Sequence, residues 1–244
     1  MVQKRQTHTM SSIADNILSV TRRIQKATLN AGREPGSVRL LAVSKTRPAD
    51  DLRLAFAAGQ RAFGESYLQE ALDKIDALQD LDTIEWHFIG PVQSNKTRQI
   101  AEAFDWVHSV DRLKIARRLS EQRPADRPPL AICLQVNINN EASKSGCPLE
   151  QLPELAAAVA SLPRLELKGL MAIPDPAQSE AELRLSFRRL ADSLAELKRS
   201  GPETGSLDTL SMGMSDDLEL AIAEGATWVR VGTALFGARA PNPA

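Results

Sequence analysis

The sequence predicts an α/β protein built as a single (β/α)8 TIM barrel with an extra N-terminal helix. Three observations lead there. Strand-like apolar runs alternate with amphipathic stretches about eight times, and the chain of 244 residues has the length that such units need. No Gly-x-Gly-x-x-Gly follows the first strand, which weakens the competing doubly wound dinucleotide fold.

Ser11 or Ser12 can cap a first helix in which Ile13, Ile17, Val20, Ile24 and Ala27 recur at steps of three and four, before Gly32 and Pro35 stop it. The alternation starts after it. Val38 to Ser44, VRLLAVS, is a strand, and Pro48 to Gly59 is a helix with proline in its first turn, acids near its start and glycine at its end. A short strand around Arg61 to Gly64, a helix from Tyr67 to Leu78, the strand Ile84 to Gly90 and a helix from Asn95 to Ala103 follow. Strand Trp106 to His108, helix Asp111 to Glu121 and strand Leu130 to Ile138 continue the pattern, with helix Leu149 to Ser161 and strand Leu165 to Ile173 after them. A long helix from about Glu180 to Arg199, strand Leu207 to Met212, helix Asp216 to Glu224 and strand Trp228 to Gly232 complete it. The proline-rich loop Arg123 to Leu130 spans one connection without a change of composition, so no domain boundary falls there. We expect a loose tail over residues 1–10 and one barrel domain over 11–244.

With 43% hydrophobic and 25% charged residues the composition is that of an ordinary folded chain, not of a disordered one. The 30 basic and 31 acidic residues give a net charge of −1, so no electrostatic footprint for nucleic acid is visible. A small anion needs only a local site and stays open. No apolar run approaches the roughly 18 residues of a membrane span, and the start, MVQKRQTHTMSS, lacks the apolar core of a secretory signal. Two cysteines, Cys133 in a strand-like run and Cys147 in a loop-like one, make no disulfide framework, which suits a reducing cytoplasm.

In a barrel, residues at the strand C-terminal ends share one rim, where such folds place their sites. Lys45 ends the first strand, Glu65 and Ser66 the second, and His87 lies near the end of the third. Strand five leads into the loop Asn139 to Gly146, strand seven into Ser211 to Asp217, and strand eight brings Arg230 before Gly232 and Thr233. The last two open a helical turn beside a serine-rich loop, which suits phosphate. Asp216 and Asp217 speak against an anion unless their side chains face away, and Ser211 to Ser215 also reads as a plain turn with an N-cap. Lys45 has two readings: a salt-bridged surface lysine, or a desolvated amine near Arg230 that condenses with an aldehyde as a Schiff base. His87 and His108 read as hydrogen-bonded core residues, Trp86, Trp106 and Trp228 as packing, and Lys144 as a loop lysine. Glu65 and Glu85 lack the spacing of a catalytic carboxylate pair.

At these residues the chain resembles the pyridoxal phosphate homeostasis protein family, also known as proline synthetase co-transcribed proteins. The resemblance runs from the first helix to FGAR, Phe236 to Arg239, through LLAVSKTRP, RAFGESYLQEALDKI, WHFIGPVQSNK, KGLMAIPDP and LSMGMSDDLELAIAEGATWVRVGTALFG, with the VN…E..KSG loop between. It implies a single barrel resembling that of bacterial alanine racemases, with pyridoxal 5′-phosphate as cofactor. Lys45 would carry the cofactor as a Schiff base; Ser211, Ser215, Gly232 and Thr233 would hold its phosphate, and Arg230 would face the ring nitrogen. Ser66 stands where relatives usually have asparagine, which puts a cofactor contact from that side chain in question.

The resemblance implies an intracellular carrier for vitamin B6 homeostasis that buffers the reactive aldehyde or delivers it to apo-enzymes, without established catalysis. An arginine facing the ring nitrogen keeps it unprotonated and handicaps carbanion chemistry. A racemase-like enzyme using Lys45 and water or His87 is the alternative, and a cofactor-free aldolase-like barrel fits the motifs less well. We expect a cytoplasmic monomer with no nucleic-acid or membrane partner.

Overall fold

Eight parallel strands close on themselves in chain order, the first pairing with both the second and the eighth. The computed structural model describes residues 12–141, 144–200 and 207–238, so the expected tail over residues 1–10 lies outside the described residues. The strands are β1 (Arg39–Val43), β2 (Ala62–Glu65), β3 (Glu85–Phe88), β4 (Trp106–Val110), β5 (Leu130–Gln135), β6 (Leu165–Met171), β7 (Thr209–Ser211) and β8 (Trp228–Val231). Helices α2 (Ala49–Ala57), α3 (Leu68–Ala77), α4 (Thr97–Ala103), α5 (Leu113–Gln122), α6 (Leu152–Ala160), α7 (Glu180–Ser200) and α8 (Leu218–Ala223) lie between them, and α9 (Thr233–Phe236) follows β8. Covered on both faces, the strands are largely buried, as in β5, where all six positions are buried.

The extra helix α1 (Ile13–Asn30) starts at Ser12, whose Oγ accepts from the Asp15 N–H at 3.1 Å while the Asp15 carboxylate accepts from the Ser12 N–H at 3.3 Å. Its buried stripe of Ile17, Val20, Ile24 and Ala27 is the one its periodicity predicts, and it packs on α8 and α9. Asn16 Nδ2 donates to the Leu235 carbonyl at 2.8 Å, which ties this helix to the turn after β8.

Differences from the sequence reading fall at element ends and have local causes. Strand β5 stops at Gln135 because the Asn137 side chain bonds the Glu141 backbone in both directions and turns the chain. Helix α8 starts at Leu218 and not Asp216, because the Asp217 carboxylate takes the Met214 N–H at 2.5 Å and holds residues 215–217 as a turn.

Most of the apolar core lies between sheet and helices. Inside the barrel, Leu41, Ala62 and Trp228, with Ile89 against them, form only a small apolar cluster. Buried polar groups, His87, His108, Ser211 and Arg230, fill much of the rest. Among the described residues no helix is long and apolar enough to cross a membrane.

Gly90, after β3, is held by a close approach: a Cβ there would lie 2.2 Å from the Ser66 carbonyl oxygen. Gly90→Ala therefore should lower stability by about 1–3 kcal/mol, read as an earlier urea midpoint; an unchanged midpoint would contradict this tight contact.

Candidate functional site

A cavity of about 480 Å³ opens at the C-terminal ends of the strands, and Lys45, Ser215, Arg230, Gly232 and Thr233 all line it. Five of the six predicted site residues are thus brought together. Ser211 is not among the lining residues: it is fully buried in the barrel interior, where its Oγ accepts from the Arg230 guanidinium at 2.9 Å and meets His108 Nδ1 at 2.7 Å. It ends strand β7 with its side chain turned into the barrel, a height that the sequence leaves open.

Lys45 is half-buried on the turn that leaves β1, and that turn is clamped from below. Thr46 adopts a left-handed φ of 66°, unusual for a β-branched residue, and its N–H donates to Glu70 at 2.5 Å. Lys74 donates to the Ser44 carbonyl at 2.8 Å, to Glu65 at 2.8 Å and to Glu70 at 2.5 Å, while the Ser44 hydroxyl donates to Glu65 at 2.6 Å. Both partners of the Lys74–Glu65 pair are buried. Burial pushes the Glu65 carboxyl up from its ordinary value, against the pull of Lys74 and the Ser44 hydroxyl. The lysine of the rim therefore stands on a buried ion cluster that fixes the residues on either side of it.

After β8, the strand paired with β1, Thr233 begins a short helical turn, whose first backbone donors have no acceptor within the helix. Gly232 keeps the approach open, since a Cβ there would sit 3.2 Å from the Val43 carbonyl. The lining carries four cationic side chains, Arg23, Lys45, Arg47 and Arg230, against one acid, Asp216. Arg23 donates to the Ser215 carbonyl at 2.9 Å and pairs with Glu219 at 2.8 Å, and it also feels the charge of Asp216. Arg47 donates to the Gly237 and Ala238 carbonyls. Asp217, the other acid in doubt, turns inward to the Met214 N–H and does not line the cavity. The balance favours an anionic ligand.

Arg230 forms part of the cavity lining and is only 5% exposed. Its NH1 donates to Ser211 and its NH2 to the Ala172 carbonyl at 2.9 Å. Desolvation lowers its pKa to about 10, so it remains a cation at neutral pH. Ser66 and Ile173 also line the cavity.

Some residues escaped the sequence reading. Arg23 and Arg47 reach the cavity from α1 and from the β1–α2 connection, with no motif to announce them. The Glu70–Lys74 pair shows the i,i+4 spacing of a helical ion pair, which could have been found, but its link to Glu65 and Ser44 could not. His87 and His108 are buried and hydrogen-bonded as expected. Trp106 and Trp228 pack in the barrel interior against His87, and Trp86 packs on Phe63. Glu65 and Glu85 serve separate networks.

The family of the alanine racemase N-terminal domain matches residues 13–240. A curated relative from Pseudomonas aeruginosa, named pyridoxal phosphate homeostasis protein, is 64% identical over 230 residues, covering 94% of this chain and 97% of its own. The protein of the same name from Escherichia coli K12 is 54% identical over 232 residues, covering 94% and 98%. Among solved structures, PipY of Synechococcus elongatus with PLP bound superposes with a TM-score of 0.83 at 40% identity, covering 93% of this chain and all of its own. Alanine racemase from Corynebacterium glutamicum shares the fold at a TM-score of 0.67 and 19% identity, with 62% of its chain covered.

Lys74→Met would leave Glu65 buried beside Glu70 without their shared cation, at an expected cost of about 3–5 kcal/mol near neutral pH. A carboxyl whose folded pKa is raised binds its proton more readily in the fold, so stability recovers as pH falls. Urea unfolding should therefore show a smaller deficit for Lys74→Met at acidic than at alkaline pH.

Proposed function

Because the chain belongs to the alanine racemase N-terminal domain family, and within it to the pyridoxal phosphate homeostasis proteins, we propose that it binds pyridoxal 5′-phosphate in this cavity and holds it reversibly. Its role is then that of a buffer or donor of the cofactor in intracellular vitamin B6 homeostasis. The observation that carries the reading is the pairing, in one cavity, of a clamped lysine with a cation-rich wall and a glycine-lined turn.

The residues present suit the ligand. Ser215 and the backbone of Gly232 and Thr233 hold the phosphate, with Arg23 offsetting the nearby charge of Asp216. Lys45 supplies the amine. That amine would hold the ligand by its aldehyde, in a reversible condensation that releases water. Arg230 faces the ring, and Ser211 contributes by holding Arg230 and makes no phosphate contact of its own. The glycine at 232 matters because any side chain would press on Val43 and narrow the site.

A carrier fits these residues better than a racemase. Proton transfer on two faces of a substrate needs two opposed bases, and among the described lining residues there is neither histidine nor tyrosine to oppose Lys45. His87, the candidate second base, is fully buried and occupied by Glu85 and His108. Arg230 stays charged and donates, which handicaps carbanion stabilisation on the bound ring. The protein works as a cytoplasmic monomer whose partners are the cofactor and the apo-enzymes that receive it.

Reduction with borohydride in the presence of pyridoxal phosphate should place the adduct on Lys45 by mass spectrometry. In Lys45→Ala the adduct disappears while phosphate contacts retain weaker binding; an adduct on another lysine defeats the assignment. Loaded protein should pass the cofactor to an apo-enzyme faster than it releases it into solution. Rapid α-proton exchange in deuterated water with a single amino acid, abolished by Lys45→Ala, would overturn the carrier reading.

A further inference from the structure

Beneath the cavity, a file of hydrogen bonds runs through the barrel interior from one rim to the other. Glu85 Oε1 meets His87 Nε2 at 2.7 Å, His87 Nδ1 meets His108 Nε2 at 2.8 Å, His108 Nδ1 meets Ser211 Oγ at 2.7 Å, and Ser211 Oγ accepts from Arg230 at 2.9 Å. His87, His108 and Ser211 are fully buried. Trp106 stacks on the His87 ring at 5.4 Å and Trp228 meets it edge-on at 4.8 Å, so apolar walls isolate the file from its surroundings. At the far end Arg39 bonds Glu85 at 3.2 Å and lies over the Trp228 ring.

The two ends dictate where the protons sit. A carboxylate only accepts and a guanidinium only donates. His87 must therefore donate from Nε2 to Glu85, which leaves its Nδ1 as an acceptor. His108 must then donate from Nε2 to His87, and its own Nδ1 accepts from the Ser211 hydroxyl. Ser211 keeps a lone pair for Arg230. With both imidazoles neutral, this is the one arrangement that satisfies all four contacts, and it directs every donor away from the cavity. Neutrality agrees with the surroundings: burial lowers the pKa of both rings, reinforced at His108 by His87 and Arg230 and opposed at His87 by Glu85 and Asp105.

We propose that Glu85, His87, His108 and Ser211 are positioning residues for Arg230, and that the carboxylate at the opposite rim sets the direction of the whole file. Arg230 thereby always finds an acceptor beneath it and keeps its remaining N–H groups for a ligand above. Replacing Glu85 by glutamine removes the end that only accepts. The amide can then donate to His87 Nε2, which reverses the tautomers of both histidines and sends a His108 N–H into the oxygen that Arg230 uses. A side chain outside the cavity lining would thus change the binding site without touching it.

The effect on cofactor binding rests on the function proposed above; the proton arrangement does not. Nitrogen-15 histidine spectra of the cofactor-free full chain should show neutral His87 and His108, each with its proton on Nε2. In Glu85→Gln, His108, which Glu85 does not contact, should shift towards the Nδ1–H form. Exchange of the Arg230 guanidinium protons should speed up roughly tenfold or more in Ser211→Ala, and pyridoxal phosphate affinity should fall roughly ten- to a hundredfold, with Ser211→Thr restoring most of both. A wild-type His108 protonated on Nδ1, or His108 signals unmoved by Glu85→Gln, would refute the directed file. Unchanged Arg230 exchange in Ser211→Ala would refute the positioning of Arg230. Failure of the wild-type chain to bind pyridoxal phosphate would sink the functional reading alone, because the tautomer and exchange measurements still decide this one.

Discussion

A guanidinium buried inside a closed barrel is the constraint around which the rest is arranged. Removing a cation from water costs several kcal/mol unless its donors are met. Arg230 is met by the Ala172 carbonyl, just after β6, and by the Ser211 hydroxyl at the end of β7. Satisfying Ser211 in turn requires His108, then His87, then Glu85, so one buried charge organises polar side chains on three other strands. Where a barrel interior is usually packed by layers of apolar residues, such a file is expensive to keep and sensitive to any missing member.

The cavity above is shaped by two unlike supports. The turn after β1 is held by Lys74, Glu65 and Glu70, so Lys45 projects from a backbone with little freedom. After the neighbouring strand β8 and after β7, the short turn at Thr233 and the loop at Ser215 offer backbone and hydroxyl donors, braced by Arg23 of the first helix. A clamped amine after β1 and the backbone and hydroxyl donors after β7 and β8 line one cavity of about 480 Å³, a set of groups that suits a molecule with an aldehyde and an anionic group. Pyridoxal phosphate has both, an aldehyde and a phosphate. Reversible condensation would suit a carrier because hydrolysis of the bond returns both the aldehyde and the amine unchanged.

The leading helix, an addition to the minimal barrel, has a part in this as well. By packing on α8 and α9 and bonding Leu235 and Ser215 through Asn16 and Arg23, it stiffens the connections after β7 and β8 that form the anion side. Its apolar stripe thus serves the site indirectly, by fixing the elements that carry it.

The order of strands and helices was legible in the chain because periods of two and 3.6 are local properties, and strand direction told which residues share the rim. Lys45, Ser215, Arg230, Gly232 and Thr233 could be placed there on that basis. What remained hidden was the height and facing of each interior side chain. Ser211 and His108 are separated by 103 positions, and Arg23 and Ser215 by 192. Their meeting depends on how the closed sheet staggers its strands and where an outer helix comes to rest. By itself the sequence determined a barrel, its rim and an amine on it. Only the tertiary structure decided that Ser211 serves Arg230 from below and that two histidines carry the connection to the opposite rim, because contacts across a closed sheet follow from its shear and leave no trace in local periodicity.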